Sequence, residues 1–306
     1  MSAIIDGTSA SSLSGTLTVT GATTLSSTLA VTGATTLTTA LGVASGGTGS
    51  GGVGSSAIRS YLAGLGLSND ATDATNDIDI AVGVAIDGTN AYVMSLASIL
   101  IKRLDAAWAV GTNQGGLDTG AIANTTYHVW LIARSDTGVV DVLFSTSASA
   151  PTMPTNYTYK RRIGSIIRSA GTILAFSQLG NEFLLKATVE DVDVTLSTTA
   201  TFYTLTCPSG IQVNVILNAA PFSSSAQASL YLSSPDVNDQ AVGFGGGTAP
   251  GSTMATLATG ATQTSMSSYA QIRTSTSGQI RAVAGAASTG VRINTSGWID
   301  TRGRDE

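Results

Sequence analysis

A single cysteine, Cys207, and a single histidine, His128, bound the chemistry of this 306-residue chain at the outset. One thiol forms no internal disulfide and no cysteine-rich zinc site. One imidazole excludes any mechanism that needs two. Charge is scarce as well: 14 Lys and Arg against 19 Asp and Glu give a net charge of −5, and charged residues make up 11% of the chain against an average of about 25%. Disorder usually rests on low hydrophobicity and high net charge, and neither is present: mean hydropathy is +0.26. A pI near 4.8 argues against a phosphate-binding surface as the main business. The most apolar run, Ala91 to Ile101, is about half the roughly 20 residues of a membrane span, so no membrane insertion is expected. Residues 1–10 hold no Lys or Arg and no apolar core, so no secretory signal is expected there. A chain this poor in charge is expected to be covered in Ser, Thr, Gly and Ala, or buried against further copies of itself.

What is present begins with a repeat. Residues 16–27 read TLTVTGATTLSS and residues 28–39 read TLAVTGATTLTT, identical at 9 of 12 positions. A decaying third copy keeps Leu41 and Val43 before Gly46-Gly47-Thr48-Gly49, and Leu13 precedes Leu25 by the same step of 12. Apolar residues alternate within each copy, which is the period of a β-strand, and Gly21 and Gly33 punctuate it. No charged residue occurs from Gly7 to Ile58. One copy of this pattern offers a thin apolar edge that it cannot bury alone. Stacked repeats and neighbouring chains supply the cover. A flexible Gly/Ser/Thr linker would have no reason to place Leu and Val at a fixed step. A homotrimer is therefore expected, with Leu17, Val19, Leu25, Leu29, Val31 and Leu37 pointing to its interior.

The TLxVTGATTL repeat running into SGGTG at Ser45 to Gly49 resembles the shaft of bacteriophage tail-fibre and virion-fibre proteins, and Ile4-Ile5-Asp6-Gly7-Thr8 resembles the segment with which such fibres begin. In that family a Gly-Gly-Thr-Gly commonly leads into a small-residue helix that ends in Leu-Gly-Leu. Here residues 55–62 lead to Leu65-Gly66-Leu67, with Ile58, Tyr61, Leu62 and Leu65 spaced as one helical face. The resemblance implies a trimer in which Ile58 and Leu62 pack at the axis. It covers residues 1–67 well, extends more loosely to about 185 through segments such as YTYKRRIGSII at Tyr157 to Ile167, and thins beyond.

The expected organisation is all-β: a virion attachment segment at 1–15, a repetitive β shaft at 16–52, a short helical junction at 53–67, and two antiparallel β-sandwich domains at 68–186 and 187–306, the second distal. Alternation at Ile78, Ile80, Val82, Val84 and Ile86, a turn at Asp87 to Asn90, and a hairpin turn at Asp136-Thr137-Gly138 carry the sandwich reading.

No constellation satisfies a catalytic template, and no enzyme, cofactor or metal site is expected. The glycine loop at Gly46 to Gly54 lacks the lysine of a phosphate-binding loop. Asp70, Asp73, Asp77 and Asp79 lie close enough to suit a hard cation, but without EF-hand spacing they read as turn-formers. His128 lies on a strand, where packing is its ordinary role. Lys160, Arg161 and Arg162, with Arg168 beyond, form the main basic cluster, split by strand alternation across two faces. Glu182, Glu190, Asp191 and Asp193 are the carboxylates from which a glycoside-cleaving pair would be drawn. Cys207 reads as a small buried apolar residue.

The expected function is a tail fibre that docks to other virion proteins through residues 1–15 and meets a host-surface glycan or protein with its C-terminal heads. A head, collar or neck decoration fibre would use the same architecture, and a polysaccharide depolymerase is the enzymatic alternative. The loops Gly243 to Ser252 and Ala258 to Ser268 are the expected contact loops, with Tyr231 and Tyr269 as the aromatics able to stack on a sugar and Trp298 read as a core residue. Nucleic acid is not an expected partner.

Overall fold

The computed structural model describes residues 60–223, 228–242, 254–256, 264–265, 267–287 and 289–304, all within one compact unit, Gly49–Glu306. The shaft positions Leu17 to Leu37, the attachment segment, Ile58, and the loop 243–252 lie outside them, as does most of 258–268.

The described residues form strands and no helix. In chain order the first are β1 (Leu62–Gly64), β2 (Leu67–Asn69), β3 (Asp77–Ile80), β4 (Gly83–Ile86), β5 (Val93–Leu96), β6 (Leu100–Ala107) and β7 (Gln114–Leu117). Next come β8 (Thr126–Ala133), β9 (Val140–Ser145), β10 (Tyr159–Ser169), β11 (Thr172–Ile173), β12 (Phe176–Leu179), β13 (Glu182–Leu196) and β14 (Thr201–Thr204). The last are β15 (Asn214–Ser223), β16 (Ala228–Ser233), β17 (Met254–Thr256), β18 (Thr264–Ser265), β19 (Ser268–Arg273), β20 (Gln279–Ala284) and β21 (Thr289–Ile299). An eight-stranded sheet runs β11-β10-β8-β9-β7-β6-β3-β2, beside a small sheet β1-β4-β5. A six-stranded sheet runs β12-β13-β21-β15-β18 with β19 also on β15, beside a four-stranded sheet β14-β20-β16-β17. Pairing is antiparallel except where β7 lies parallel to β6 and β9. No helix among the described residues is long and apolar enough to cross a membrane.

Strand alternation explains how these sheets bury both faces. On β8, Tyr127, Val129, Leu131 and Ala133 enter the main core, while Trp130 and Ile132 join a second cluster with Leu143 and Tyr157 on the opposite face. The β8–β9 hairpin closes at Asp136 to Gly138, where Gly138 adopts φ +72° and the Arg134 carbonyl accepts from the Gly138 amide at 3.0 Å. At Asp87 to Asn90 the Asp87 carboxylate accepts from the amides of Thr89, Ala91 and Tyr92, an Asx-type turn that Asn90 completes at φ +63°. The alternating run from Ile78 to Ile86 is two strands, broken between β3 and β4.

The described residues bear on two expectations. Of the expected junction, 53–67, residues 60–67 are described, and there Leu62–Gly64 is a strand that pairs with β4. Gly64 and Leu65 both take positive φ, at +70° and +54°, a conformation that stops a helix. Leu62, expected at a trimer axis, is buried in the unit's own core together with Leu65. The boundary at 186/187 falls inside β13, a strand that continues to Leu196 and pairs along its length with β21. The change from one set of sheets to the other comes at residues 174–175, and one hydrophobic cluster runs from Leu62 to Trp298 across both sets. Trp298 is core, stacked on Phe183 with ring centroids 5.6 Å apart.

Candidate functional site

A cleft of about 990 Å³ lies where the end of the eight-stranded sheet meets the six-stranded one. Three neighbouring strands of the second sheet end there in one row, Arg273 on β19 opposite Asn214 on β15 opposite Ile299 on β21, and all three residues line the cleft. The facing wall comes from β8 and β10, which contribute Trp130, Lys160 and Arg162. Thr158, Gln212, Thr276 and Thr301 are exposed along the rim.

A register shift puts these groups side by side. Lys160 pairs with Ile132 and Arg162 with Trp130, but beyond the irregularity between Arg162 and Gly164 it is Ser165 that faces His128. Lys160, Arg162 and Ser165 therefore share the face carrying Trp130 and His128. Arg162 is buried, with a two-pronged ion pair to Asp300 at 2.7 and 3.0 Å, and its Nη1 also reaches Ser165 Oγ at 3.4 Å. Lys160 Nζ donates to the Ser149 carbonyl at 3.0 Å and lies 5.4 Å from the Trp130 ring centroid. Arg273 pairs with Asp236 at 2.8 Å, both groups being partly solvated, and Gln212 donates to the same carboxylate.

His128 is fully buried behind this wall. Its Nδ1 lies 2.9 Å from Ser165 Oγ. Its Nε2 makes no well-formed hydrogen bond among the described residues and is turned toward the backbone of Ser209. Burial, reinforced by the Arg162 charge, lowers the imidazole pKa to about 4. His128 is thus a neutral imidazole in hydrogen-bond contact with the Ser165 hydroxyl, both side chains being fully buried. Gly210 closes the pocket behind it: at φ +86° a side chain would be strained, and a Cβ would lie 3.1 Å from Nε2.

The depressed imidazole has a measurable consequence. Below pH 6.5 the unfolded chain takes up a proton on His128 that the folded protein refuses until about pH 4, so stability falls as pH falls through that window. The loss is of order 3 kcal/mol once pH passes below both values. Asp77 acts the other way: burial first, and the Asp73 charge second, raise it to about 6, so the folded state binds that proton before the unfolded one. His128→Gln isolates the imidazole share. Its urea midpoint should fall less between pH 7 and pH 4.5 than the wild-type midpoint does, and parallel profiles would assign the slope to other groups.

The remaining sequence candidates are placed elsewhere. Asp70 Oδ1 accepts from the amides of Thr72 and Asp73, and Asp73 Oδ1 from those of Thr75 and Asn76, which is turn capping. No cluster of metal-ligating side chains occurs among the described residues. Asp191 holds Thr206 at 2.6 Å and 2.9 Å, and Asp193 and Glu190 flank Arg292 at 3.0 and 3.9 Å. Neither they nor Glu182 line the cleft. Cys207 is buried, and burial pushes its thiol up to about 12. Tyr231 is half-buried on β16, whereas Tyr269 is 60% exposed on β19. Tyr269 lies outside the cleft, but it shares the outward face of β19 with Gln271 and Arg273. Sequence reasoning missed Arg273, Gln212, Asn214 and Asp300. They are far from the 160–162 cluster in the chain, and only the sheet register brings them to it.

No family model matches the chain, and no curated protein matches it. Among solved structures, one of the infectious bursal disease virus Gx strain aligns with 78% of this chain and 69% of its own at 12% identity and a TM-score of 0.21. A likeness at that score carries no argument about fold or function.

Proposed function

We propose that the chain is a homotrimeric bacteriophage virion fibre, most simply a tail fibre, docked through residues 1–15 and presenting the Gly49–Glu306 unit to the host surface. The observation that carries this reading is the 12-residue step of Leu and Val across residues 16–39 in a stretch from Gly7 to Ile58 without charge. Such a stretch needs other chains to cover it. The all-β unit that follows, with a cleft at the junction of two sheets, is the kind of rigid scaffold on which surface contacts are made. Three copies on one shaft would raise the avidity of a weak contact by linking the binding events. A fibre on the head, collar or neck would have the same construction.

Native mass measurement of the full chain should give three copies, and antibody against the Gly49–Glu306 unit should decorate intact particles at a fixed position, which also separates tail from collar. A stable monomer, or particles that take no label, would overturn the reading. Truncation after Ala187 is unsuited to testing the host-contact role, because the cut divides β13 and removes both β15 and β21.

A further inference from the structure

We propose that the cleft between β8–β10 and the ends of β15, β19 and β21 binds an oligosaccharide bearing carboxylate groups. The proposal deepens the fibre reading by naming the class of host ligand, although the binding itself does not depend on where the protein sits.

Three observations converge on that chemistry. At about 990 Å³ the cleft is at the upper end of the range of small-ligand sites, large for an ion or a single small anion and suited to a chain of sugar rings. Its exposed rim is neutral and hydrogen-bonding, from Thr158, Gln212, Asn214, Thr276 and Thr301. Those groups donate and accept as sugar hydroxyls require. Charge supplies the third. Four basic residues line the cleft against one acidic residue, Asp87, in a chain whose net charge is −5. The Asp87 carboxylate is engaged by its own turn, accepting from three amides and the Thr89 hydroxyl.

Of the four, Lys160, Arg161, Arg162 and Arg273, Arg161 and Arg162 are buried. Arg162 is committed to Asp300 inside the protein. Lys160 is held by a carbonyl and an aromatic ring, with no carboxylate within ion-pair distance among the described residues. Arg273 shares a solvated carboxylate with Gln212, so an incoming carboxylate exchanges one exposed ion pair for another. Lys160 and Arg273 stand on opposite walls, as an acidic group at each of two positions along a sugar chain would need. A neutral saccharide would leave Lys160 without a counter-charge, and inorganic phosphate would leave the rim unused.

The test uses the purified full-length protein and size-defined oligosaccharides of hyaluronate, alginate and polygalacturonate, each beside its carboxyl-reduced, neutral counterpart. Binding is read by calorimetry. At least one acidic member should bind, about tenfold or more tighter than its neutral counterpart, with affinity falling as salt rises. Lys160→Gln and Arg273→Gln should each weaken that binding by about tenfold and should not alter the weak binding of the neutral sugar. Arg134→Gln, a partly exposed arginine outside the cleft paired with Asp136, should leave it unchanged. Thermal melts of all three variants should match wild type, which keeps loss of binding separate from loss of fold. Absence of binding across the acidic panel, equal affinity for acidic and reduced forms, or unchanged affinity in Lys160→Gln would overturn the proposal. So would protection of the cleft by a second copy in the native oligomer, seen as loss of solvent exchange at residues 210–214 on assembly. A protein that binds the acidic sugar but is absent from particles would uphold the cleft and sink the fibre. A particle-borne protein that binds none would do the reverse.

Discussion

Deleting residues 300–306 should abolish the folded Gly49–Glu306 unit, although it removes little more than a tail in sequence terms. Asp300 is 1% exposed and forms both prongs of the ion pair with Arg162, itself 2% exposed. Removing one partner of such a pair leaves an uncompensated buried charge, at about 3–5 kcal/mol. The tail does more than this. Arg302 donates through Nε to the Ile163 carbonyl at 2.7 Å and through Nη2 to the carbonyls of Gly64 and Leu65. Arg304 donates to the carbonyl of Leu62 at 3.2 Å and to Asn181, and its own carbonyl accepts from Ser60. Each buried carbonyl stripped of its donor costs about 1–3 kcal/mol. The total rivals the 5–15 kcal/mol by which a folded domain exceeds its unfolded chain. Circular dichroism and a urea titration of the truncated protein should show no cooperative transition, while Asp300→Asn should retain one with stability reduced by about 3–5 kcal/mol. Pairing Asp300→Leu with Arg162→Met should recover much of that loss, since two apolar groups strand no charge. A truncated protein that melts cooperatively near the wild-type temperature would show that the tail merely rests on the surface.

The tail also explains where reading the sequence succeeded and where it stopped. Period-2 alternation on β8 is a local property, and it placed Tyr127, Val129 and Leu131 on one face and His128, Trp130 and Ile132 on the other, as they stand. The Asp136-Thr137-Gly138 turn is equally local. The Arg162–Asp300 pair joins residues 138 apart, and nothing near either residue signals the other. The residues 58, 61, 62 and 65 carry helical spacing, but Gly64 and Gly66 weaken it, and among the described residues Leu62–Gly64 pairs as a strand with β4. Tertiary pairing overrides a short periodic pattern of this kind. The continuity of β13 across residue 187 was hidden for a related reason. A long strand with irregular register between Leu184 and Val189 reads as two short ones when its partner strand, Thr289–Ile299, is unseen. The basic residues at 160–162 were legible as a cluster, but the cleft was not, because its opposite wall comes from Gln212, Arg273 and the chain end.

Replacing Leu29 and Val31 together by Asp should prevent trimer formation. Both residues occupy apolar positions of the second repeat and correspond to Leu17 and Val19 of the first. If the repeat is covered by two other copies, every substitution acts three times in each assembly. Loss of a buried Leu costs about 2–5 kcal/mol, and three copies multiply that before charge is considered. Six carboxylates would then crowd a stretch that holds no Lys or Arg from Gly7 to Ile58, so no counter-ion within the repeat can accept them. Burying an unpaired carboxylate is far costlier than burying a polar group, and like charges brought together at the axis add to it. The Gly49–Glu306 unit has its own core, so the variant should remain folded there, with a normal β-rich spectrum. Sedimentation equilibrium should give the mass of one chain, against three for wild type. A control at Thr28 and Thr32, which flank the apolar pair in the same repeat, separates the two faces: Thr28→Asp with Thr32→Asp adds the same charge and should still assemble if those hydroxyls face water. A heat-stable trimer from the Leu29, Val31 variant would place the apolar face outside and reverse the register. A monomeric wild-type protein would remove the reason for the repeat, because a single copy has nothing with which to cover Leu29 and Val31.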